Sequence, residues 1–249
     1  YAEQAKRWAT RYGDGYINKY EYVPSSTLNC LYFEEMTEEW LDFIVACRRG
    51  IPHKYDIVEG PMAGGHLGFS RKQLEEKMDY DMEISEILKL VRVYEKKAER
   101  KIPVAVGGGI CDKARADHGF MLGADLIQVA SRFITTKECD ADSAYKDAYL
   151  KARKEDIVLV SSPVGMPGRA IRNPFLERVE KGEFQRPQKC FGCLKHCNPA
   201  EIPYCITEAL IHAVKGDTEN GLLFCGAQVY LANQIETVQD VMEDLLEGL

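Results

Sequence analysis

The stretch 102–133, "IPVAVGGGICDKARADHGFMLGADLIQVASRF", decides the fold, because it contains a strand, a helix and a second strand in succession. It starts with the apolar run "IPVAV", continues with the helical pattern "KARADHGFMLGA" and ends with a second apolar run, "LIQVASRF". Near-continuous apolar strands that alternate with helices favour parallel pairing, with the helices covering the sheet. The stretch therefore predicts an α/β fold.

The chain before and after this stretch continues the alternation. "YDIVEG" at 55–60 predicts a strand, and "MEISEILKLVRVYE" at 82–95 predicts an amphipathic helix from apolar residues at helical spacing: Ile84, Ile87, Leu88 and Val91. Five other segments carry helical spacing or helix start and stop signals: 2–13, 38–49, 143–154, 206–214 and 237–246. The order strand, helix, strand, helix, strand thus extends over 55–133.

Composition narrows the class of protein. The chain has 249 residues, enough for one large α/β domain or two small ones, and a net charge of -7. It has no basic tract with interleaved aromatic residues, which argues against nucleic acid as a partner. No run approaches the roughly 18 apolar residues of a membrane span, and no leader pattern is present. We therefore expect a soluble, cytoplasmic protein that acts on a small-molecule substrate.

Three of the predicted strands end in segments suited to a binding site: "GPMAGGH" at 60–66, "GGG" at 107–109 and "QVAS" at 128–131. The carboxyl ends of parallel strands lie at one edge of the sheet, and that edge carries the site in α/β barrels and open sheets. The backbone N–H groups of consecutive glycines could hold a phosphate there. The alternative is that the glycines only relieve crowding where a helix crosses a strand.

His66 is the candidate for proton transfer. It directly follows two glycines, which let a ligand approach the backbone closely. An unperturbed histidine has a pKa near 6.5 and therefore exchanges protons around neutral pH. The alternative is a tight turn with a solvated histidine. The other four histidines lack a glycine context, and we assign them to surface positions or helix packing: His53, His118, His196 and His212.

Four motifs together resemble, in the same order, those of the nitronate monooxygenase family, whose close relative is the FMN-dependent enoyl-ACP reductase. They are "VEGPMAGGHLGF", "IPVAVGGGICD", "GADLIQVASRF" with "TTKEC", and "GMPGRAIRN". The resemblance extends from about 55 to 173. It implies a (β/α)8 TIM barrel that holds FMN, in which the motifs are similar to the sixth, seventh and eighth strands.

The resemblance also implies roles for individual residues. Gly64 and Gly65 would face the flavin, and His66 would be the catalytic histidine. The FMN phosphate would be held by two glycines and the segment after the next strand: Gly108, Gly109, Gln128, Val129, Ala130 and Ser131. The family usually has an acidic residue where Pro61 or Met62 stands, and a Gly-Thr pair in place of Ala130 and Ser131. The alanine methyl hinders the closest approach of a phosphate, whereas the serine keeps a hydroxyl donor.

The implied reaction is oxidation of nitronates or nitroalkanes with O2. In it His66 takes the α-proton or orients the nitronate while the flavin passes electrons towards oxygen. An FMN-dependent enoyl-ACP reductase that uses NAD(P)H is the alternative, since the active-site motifs are shared. An alternative of another class is a non-catalytic or metal-binding module that keeps the barrel edge as a scaffold.

A cysteine-rich segment, "CFGCLKHCNPAEIPYC" at 190–205, provides a candidate metal site. Nine cysteines in a chain of this length favour reduced thiols or a metal site over a disulfide framework. Cys190, Cys193, Cys197 and Cys205 form C-x2-C-x3-C-x7-C, a plausible ligand count for zinc or an iron–sulfur cluster. The alternative for Cys205 is a small apolar thiol packed at the start of a helix.

The barrel that the resemblance implies does not fit into this chain. A complete barrel takes about 250 residues, or roughly 30 for each strand and helix, yet only 54 residues precede Tyr55. We therefore expect the C-terminal part of a longer protein, forming an incomplete barrel that contains only the C-terminal strands. The expected organisation is a helical or irregular segment 1–54, a flavin-binding barrel part 55–160, and a Cys-rich, helical C-terminal extension 161–249.

Such an open barrel leaves strand edges and apolar surface uncovered. The missing N-terminal barrel half or a second copy of the chain is the partner expected to cover them. Without the loops of the early strands, we expect this chain to bind FMN weakly or not at all.

Overall fold

The structure is a computed structural model, and it describes residues 56–76, 79–190, 192–193 and 197–247. The helices expected at 2–13 and 38–49, and the segment 1–54 as a whole, lie outside the described residues. The chain divides into a first unit, Tyr1–Gly60, Glu76–Gly107 and Asp117–Gln128, and a second unit, Pro61–Glu75, Gly108–Ala116 and Val129–Leu249. These units are discontinuous in sequence, whereas the expected segments are continuous, and the division at 54 and 160 stays a prediction.

The described helices agree with every helical pattern identified in this part of the sequence. In chain order they are α1 Arg71–Glu75, α2 Tyr80–Ala98, α3 Lys113–Met121, α4 Ser131–Ile134, α5 Ser143–Lys151, α6 Pro174–Glu180, α7 Ile206–Val214 and α8 Val238–Leu246. None of the described helices is both long enough and apolar enough to cross a membrane.

The first unit contains a three-stranded parallel sheet. Its strands are β1 Asp56–Glu59, β3 Val104–Gly107 and β4 Leu126–Gln128, and β3 lies between the other two. The four residues of β3 are all buried, as expected for a central parallel strand. The register aligns Glu59 with Gly107 and Gly107 with Gln128, so the three strands end in one row.

Helix α2 supplies most of the core of the first unit. The Asp79 side chain accepts a hydrogen bond from the backbone N–H of Met82, which caps the first turn. The apolar face expected from the sequence is buried against β3, in a cluster of nine buried residues: Ile84, Ile87, Leu88, Val91, Tyr94, Ile102, Val104, Val106 and Ala124. The 3.6-residue period therefore identified the buried face correctly.

The second unit contains a three-stranded antiparallel sheet in the order β2–β6–β5. β2 is the two-residue strand Gly65–His66, β5 is Ile157–Ser161 and β6 is Pro167–Ile171. β5 and β6 form a hairpin that the sequence analysis did not predict, because Pro and Gly within "SSPVGMPGRAI" hid the strand pattern. β2 pairs with β6 through Gly65 opposite Arg169 and His66 opposite Gly168.

Two apolar clusters hold the second unit together. One, which includes Phe175, Leu176, Tyr204 and Leu222, contacts one face of the hairpin through Val160. The other combines residues of α5, β6 and α7 with residues of the segment after α7. Its buried members are Tyr149, Ala152, Ile171, Ala213, Leu223, Cys225 and Val229. Consecutive residues of β6 point to opposite faces of the strand, and they belong to different clusters: Ala170 to the first and Ile171 to the second. The hairpin is therefore covered on both faces.

Two sequence expectations need correction. "LIQVASRF" is a strand only over Leu126–Gln128, because Ser131 starts the short helix α4. The expected barrel wall is also only partly present: among the described residues, the parallel strands number three, the other sheet is antiparallel, and no closed barrel is formed. The coarser expectation, an α/β fold with a parallel sheet, is confirmed.

Candidate functional site

His66 lies at the end of β2, half-buried between two side chains of the second unit. Its Nε2 is 2.7 Å from the Ser162 hydroxyl oxygen. The rings of His66 and Phe224 form a T-shaped contact, with 4.9 Å between ring centroids and 70° between ring planes. Burial lowers the pKa of His66 from its usual value of 6.5. The imidazole is therefore neutral at pH 7 and able to accept a proton.

The two glycines before His66 are explained by local packing. A Cβ on Gly64 would lie 2.4 Å from the carbonyl carbon of Cys225 and 2.6 Å from the backbone nitrogen of Gly226. Gly65 has φ +71°, a left-handed conformation that glycine adopts without strain. The loop thus needs glycine at 64 for close approach and at 65 for its backbone angle. The expected contacts of both glycines with a flavin stay predictions.

The segment Cys225–Gln228 joins the expected site loops of the second unit. The backbone N–H of Gly226 donates to the Ser131 hydroxyl oxygen at 2.9 Å, and that of Ala227 donates to the carbonyl of Met62 at 3.0 Å. The Gln228 side chain lies 3.3 Å from the Cys111 thiol, which follows the triple glycine in sequence. The loops around 62–66, 109–111 and 131 are therefore brought together through this segment.

The phosphate-loop candidates are two glycines after β3 and the residues after β4. Gly108 and Gly109 have φ +97° and +78°, so the chain turns there in a conformation that favours glycine. A Cβ on Gly109 would lie 2.9 Å from the Met62 side chain, which is a structural reason for that glycine. Ser131 accepts the Gly226 N–H and keeps its own hydroxyl proton to donate. Val129 and Ala130 connect β4 to α4, and none of these residues has a demonstrated ligand.

Gln128 is the one expected site residue that belongs to the first unit. It ends β4 beside Gly107, whose missing side chain leaves room for it: a Cβ on Gly107 would lie 3.3 Å from Gln128 Cβ. Its Oε1 is buried and has no hydrogen-bond donor among the described residues. A buried acceptor without a donor costs roughly 1–3 kcal/mol. Gln128 therefore lacks a hydrogen-bond donor that a ligand could provide.

Glu59 ends β1, on the opposite side of Gly107 from Gln128 in the parallel sheet. No motif in the sequence marks it as a candidate site residue. Burial raises the pKa of its carboxyl group to about 7. Tyr80 lies close to Glu59. Burial is the largest cause that raises the pKa of the Tyr80 phenol, and the negative charge of Glu59 raises it further. The Tyr80 hydroxyl donates to the Gly107 carbonyl at 3.3 Å. This strand edge thus carries a carboxyl group that titrates near neutral pH.

Three further residues beside His66 were missed: Ser162, Arg169 and Phe224. Arg169 is half-buried and its guanidinium donates to the carbonyl of Ala63, immediately before the glycine pair. A signal existed for it, because it lies within the motif "GMPGRAIRN", and Ser162 comes three residues before that motif. Phe224 had no such signal, because only the tertiary fold brings it to the histidine.

The expected metal site is not supported. Cys190, Cys193, Cys197 and Cys205 do line one surface cavity, together with Pro187, Gly192, Pro199 and Ile202. However, no group of three or more His, Cys, Asp or Glu side chains in the described part of the chain is arranged to hold a metal ion. The four thiols are free, and Cys205 is buried at the start of α7, as expected for a packed apolar thiol. Sequence spacing alone does not place four sulfurs in a ligand geometry.

Two of the other histidines pair with carboxylates on the surface. His118 Nε2 is 2.9 Å from Asp81, and His212 Nδ1 is 2.8 Å from Asp217. Both lie on helices, α3 and α7, as expected. His53 and His196 lie outside the described residues. Among the described histidines, His66 therefore differs in contacting a buried serine rather than an exposed carboxylate.

Comparisons with known proteins identify the family of this chain. The family model for nitronate monooxygenase matches residues 43–248. This range includes nearly all of the segment 161–249, which we expected to be a separate C-terminal extension. That extension is therefore not confirmed. A probable nitronate monooxygenase of Staphylococcus saprophyticus is 28% identical over 131 residues, which cover 53% of this chain and 35% of that protein. This chain thus spans about a third of that relative's length.

Solved structures show the same fold. FabK from Thermotoga maritima superposes with a TM-score of 0.59 and 26% identity, covering 82% of this chain and 57% of that one. Nitroalkane oxidase from Streptomyces ansochromogenes superposes with a TM-score of 0.52 and 20% identity, covering 82% and 60%. The residues that the family model matches, 43–248, make up more than half of the chain. The chain therefore belongs to the nitronate monooxygenase family.

Proposed function

We propose that this chain forms the histidine-bearing part of an FMN-dependent oxidoreductase that oxidises nitronates or nitroalkanes with O2. The observation that carries the proposal is His66: a half-buried imidazole with a lowered pKa, at the end of a strand and directly after a glycine pair. A neutral imidazole is a suitable general base for the acidic α-carbon of a nitroalkane. The family supports this assignment, since its curated relatives are named as probable nitronate monooxygenases.

The residues of the second unit fit the phosphate of FMN. Ser131 retains a hydroxyl proton that suits a phosphate oxygen. We therefore assign Ser131, with Gly108 and Gly109 of the same unit, to the phosphate. FMN supplies the electron transfer between substrate and oxygen.

The chain's own residues bind and orient the substrate and handle its proton. His66 removes the α-proton of a nitroalkane, or donates a hydrogen bond to a nitronate that has already lost it. Phe224 packs on the imidazole and excludes water from one side of it. The antiparallel pairing of Gly65 with Arg169 holds the histidine loop on the hairpin, so the imidazole position is fixed by backbone hydrogen bonds.

A second candidate is enoyl thioester reduction with NAD(P)H. The observation that favours it is the structural match to FabK, at higher identity than the match to nitroalkane oxidase. The same histidine would then act as a proton donor to the reduced product. The geometry of His66 does not distinguish the two reactions, because either one uses a histidine that exchanges protons near neutral pH.

The first test is the visible absorption spectrum of the purified chain, before and after incubation with FMN. Flavin absorbance that stays with the protein through gel filtration supports the proposal. Oxygen uptake with a nitronate then supports the monooxygenase, and NADH oxidation with an enoyl thioester supports the reductase. The absence of flavin binding in this chain, and in any longer protein that contains it, would refute both.

A histidine variant tests the catalytic assignment. We expect His66→Asn to lower turnover by about 10²-fold or more, the range of general acid–base contributions. The matched control is His118→Asn, since His118 is exposed and pairs with Asp81 on the surface. Equal turnover of His66→Asn and wild type would refute the role of His66.

A further inference from the structure

We infer that Arg132 is a positioning residue for the proposed phosphate site, because it couples the C-terminal helix α8 to Ser131 and to the loop after β3. This inference deepens the proposed function and rests on it for the identity of the ligand. The coupling itself follows from hydrogen bonds within the second unit, to which all of these residues belong.

The Arg132 guanidinium joins three segments that are far apart in sequence. Its Nε and Nη2 donate to the two carboxylate oxygens of Glu236, at 3.0 and 2.9 Å. Its Nη1 donates to the Asp244 carboxylate at 2.9 Å and to the backbone carbonyl of Cys111 at 2.6 Å. The side chain is only 15% exposed, so these bonds are largely shielded from water. One side chain therefore connects α4, the loop after β3 and the segment around α8.

Direct contact with the phosphate is the alternative role for Arg132, since it follows Ser131 in sequence. A guanidinium has five N–H donors, and four of them make the hydrogen bonds to Glu236, Asp244 and Cys111. Two carboxylates around one guanidinium also leave this cluster with a net negative charge. Neither property suits a direct ligand of an anion. The geometry therefore favours an effect through the neighbouring residues.

The first neighbour is the loop after β3. Arg132 holds the backbone carbonyl of Cys111, while the Cys111 thiol lies 3.3 Å from Gln228 Oε1. Cys111 comes two residues after Gly109, and the loop turns at Gly108 and Gly109 with positive φ angles. Holding Cys111 through both its backbone and its side chain restricts the positions open to the N–H groups of the two glycines.

The second neighbour is Ser131, which starts α4 directly before Arg132. Its hydroxyl accepts the N–H of Gly226 at 2.9 Å and keeps its own proton for a phosphate oxygen. Because Arg132 is bound to two carboxylates, α4 cannot shift without lengthening charge-assisted hydrogen bonds, which are the strong ones. Arg132 thus fixes the place from which the serine hydroxyl donates.

The C-terminal anchor of Arg132 is itself attached to the chain after α4. The backbone N–H of Glu236 donates to the Thr135 carbonyl at 3.1 Å, and the Glu236 carbonyl accepts from the N–H of Lys137 at 2.8 Å. Asp244 lies on α8, which buries two apolar residues. Glu236 and Asp244 therefore contribute to the phosphate site although they lie 104 and 112 residues after Arg132.

Glu236→Gln separates positioning from a simple effect of charge. The variant removes a negative charge near the site, and charge alone would make an anion bind more tightly. Positioning predicts the opposite, because Arg132 loses its two-pronged ion pair and Ser131 is displaced. FMN and riboflavin differ by the phosphate, so the ratio of their dissociation constants, measured by flavin fluorescence, isolates its contribution. We expect FMN to bind about 10-fold more weakly, the scale of one hydrogen bond to a charged group, and riboflavin to bind as before.

The matched control is Glu180→Gln, since Glu180 pairs with Arg172 at 3.0 Å on the surface of the same unit. This control should leave the affinities for both flavins unchanged. Asp244→Asn is a second test variant that breaks only one contact of Arg132, and Asp244 is 46% exposed. We expect it to weaken FMN binding in the same direction, by about 3-fold.

The Gly226 amide gives a second readout that needs no flavin. The chain has a single Cys–Gly pair, Cys225–Gly226, so labelling with 13C-cysteine and 15N-glycine isolates this amide in nuclear magnetic resonance. We expect its signal to shift, and its hydrogen exchange to rise about 10-fold, in Glu236→Gln and in Arg132→Lys. The lysine keeps the charge but cannot form the fork. Glu180→Gln should leave the signal unchanged.

Two results would overturn the inference: FMN binding in Glu236→Gln that is as tight as in wild type or tighter, or an unchanged Gly226 signal in that variant. If Glu236→Gln does not fold, the same two measurements on Asp244→Asn decide.

Failure of the proposed function gives a different result. A wild-type chain that binds FMN no more tightly than riboflavin would refute the phosphate assignment, and one that binds neither flavin would count against the proposed cofactor. Either result would also remove the role of Arg132 towards the ligand. The Gly226 signal would still decide whether Arg132 and Glu236 hold Ser131.

Discussion

Replacing Gly64 with alanine should destabilise the second unit by about 3 kcal/mol, because the new methyl group would meet backbone rather than a movable side chain. The Cβ position lies 2.4, 2.6 and 2.7 Å from three atoms of the peptide that joins Cys225 to Gly226. Ordinary contact between such atoms needs about 3.5 Å, so this peptide must move by about 1 Å.

The movement has a measurable cost because three backbone N–H groups of the displaced segment donate hydrogen bonds. The N–H of Cys225 donates to the Arg169 carbonyl at 3.1 Å, that of Gly226 to the Ser131 hydroxyl at 2.9 Å, and that of Ala227 to the Met62 carbonyl at 3.0 Å. Overpacking costs about 1–3 kcal/mol, and each weakened hydrogen bond adds a fraction of about 1 kcal/mol. A loss of about 3 kcal/mol lowers Tm by about 6–12 °C in a chain of this size.

Urea unfolding followed by circular dichroism, with thermal unfolding alongside, measures this change. The matched control is Gly119→Ala in α3, where the added Cβ lies 3.5 Å from Ile127, an ordinary contact. That variant should be more stable than wild type by up to about 1 kcal/mol, because alanine is the better helix former. A Gly64→Ala protein within 0.5 kcal/mol of wild type, on the order of a typical surface substitution, would show that the close approach of Cys225–Gly226 is not a feature of the folded chain.

Two predictions concern charged groups of the first unit. Burial raises the pKa of Glu59 from 4.5 to about 7, so wild-type stability falls as pH rises through this window. In urea unfolding, Glu59→Gln should be more stable than wild type by about 3 kcal/mol at pH 8 and equal to it at pH 4. Burial acts to raise the pKa of Asp125, but hydrogen bonds from Lys101 and Arg92 lower it to about 2. Asp125→Asn should therefore cost about 2 kcal/mol at pH 7 and little near pH 2, and an equal cost at both values would contradict the ion-pair explanation.

The sequence by itself determined the helices and the parallel strands of the first unit. The buried face of α2 follows from a 3.6-residue period that is a property of the chain alone, and Ile84 and Val91 are buried as that period predicts. The strands that end at Glu59 and Gly107 follow from short apolar runs closed by glycine. These are local signals, so they require no knowledge of what packs against them.

Part of the candidate site was also local. The glycine pair before His66 and the positive φ angles of Gly108 and Gly109 could be inferred because only glycine adopts such backbone freely. The cysteine spacing was equally regular, yet the described thiols are not arranged as metal ligands. A spacing limits which side chains can meet, but the packing of the loop between them decides whether they do.

Only the tertiary structure decided what surrounds the histidine. Ser162 lies 96 residues after His66 in sequence, and the two meet because β2 pairs with β6 and brings the hairpin turn to the imidazole. Phe224 reaches the same ring from the segment after α7. Antiparallel pairing between segments a hundred residues apart depends on the register and burial of whole strands. The position of His66 in a glycine loop can therefore be inferred from the sequence, whereas the residues that bury and contact its ring come together only in the fold.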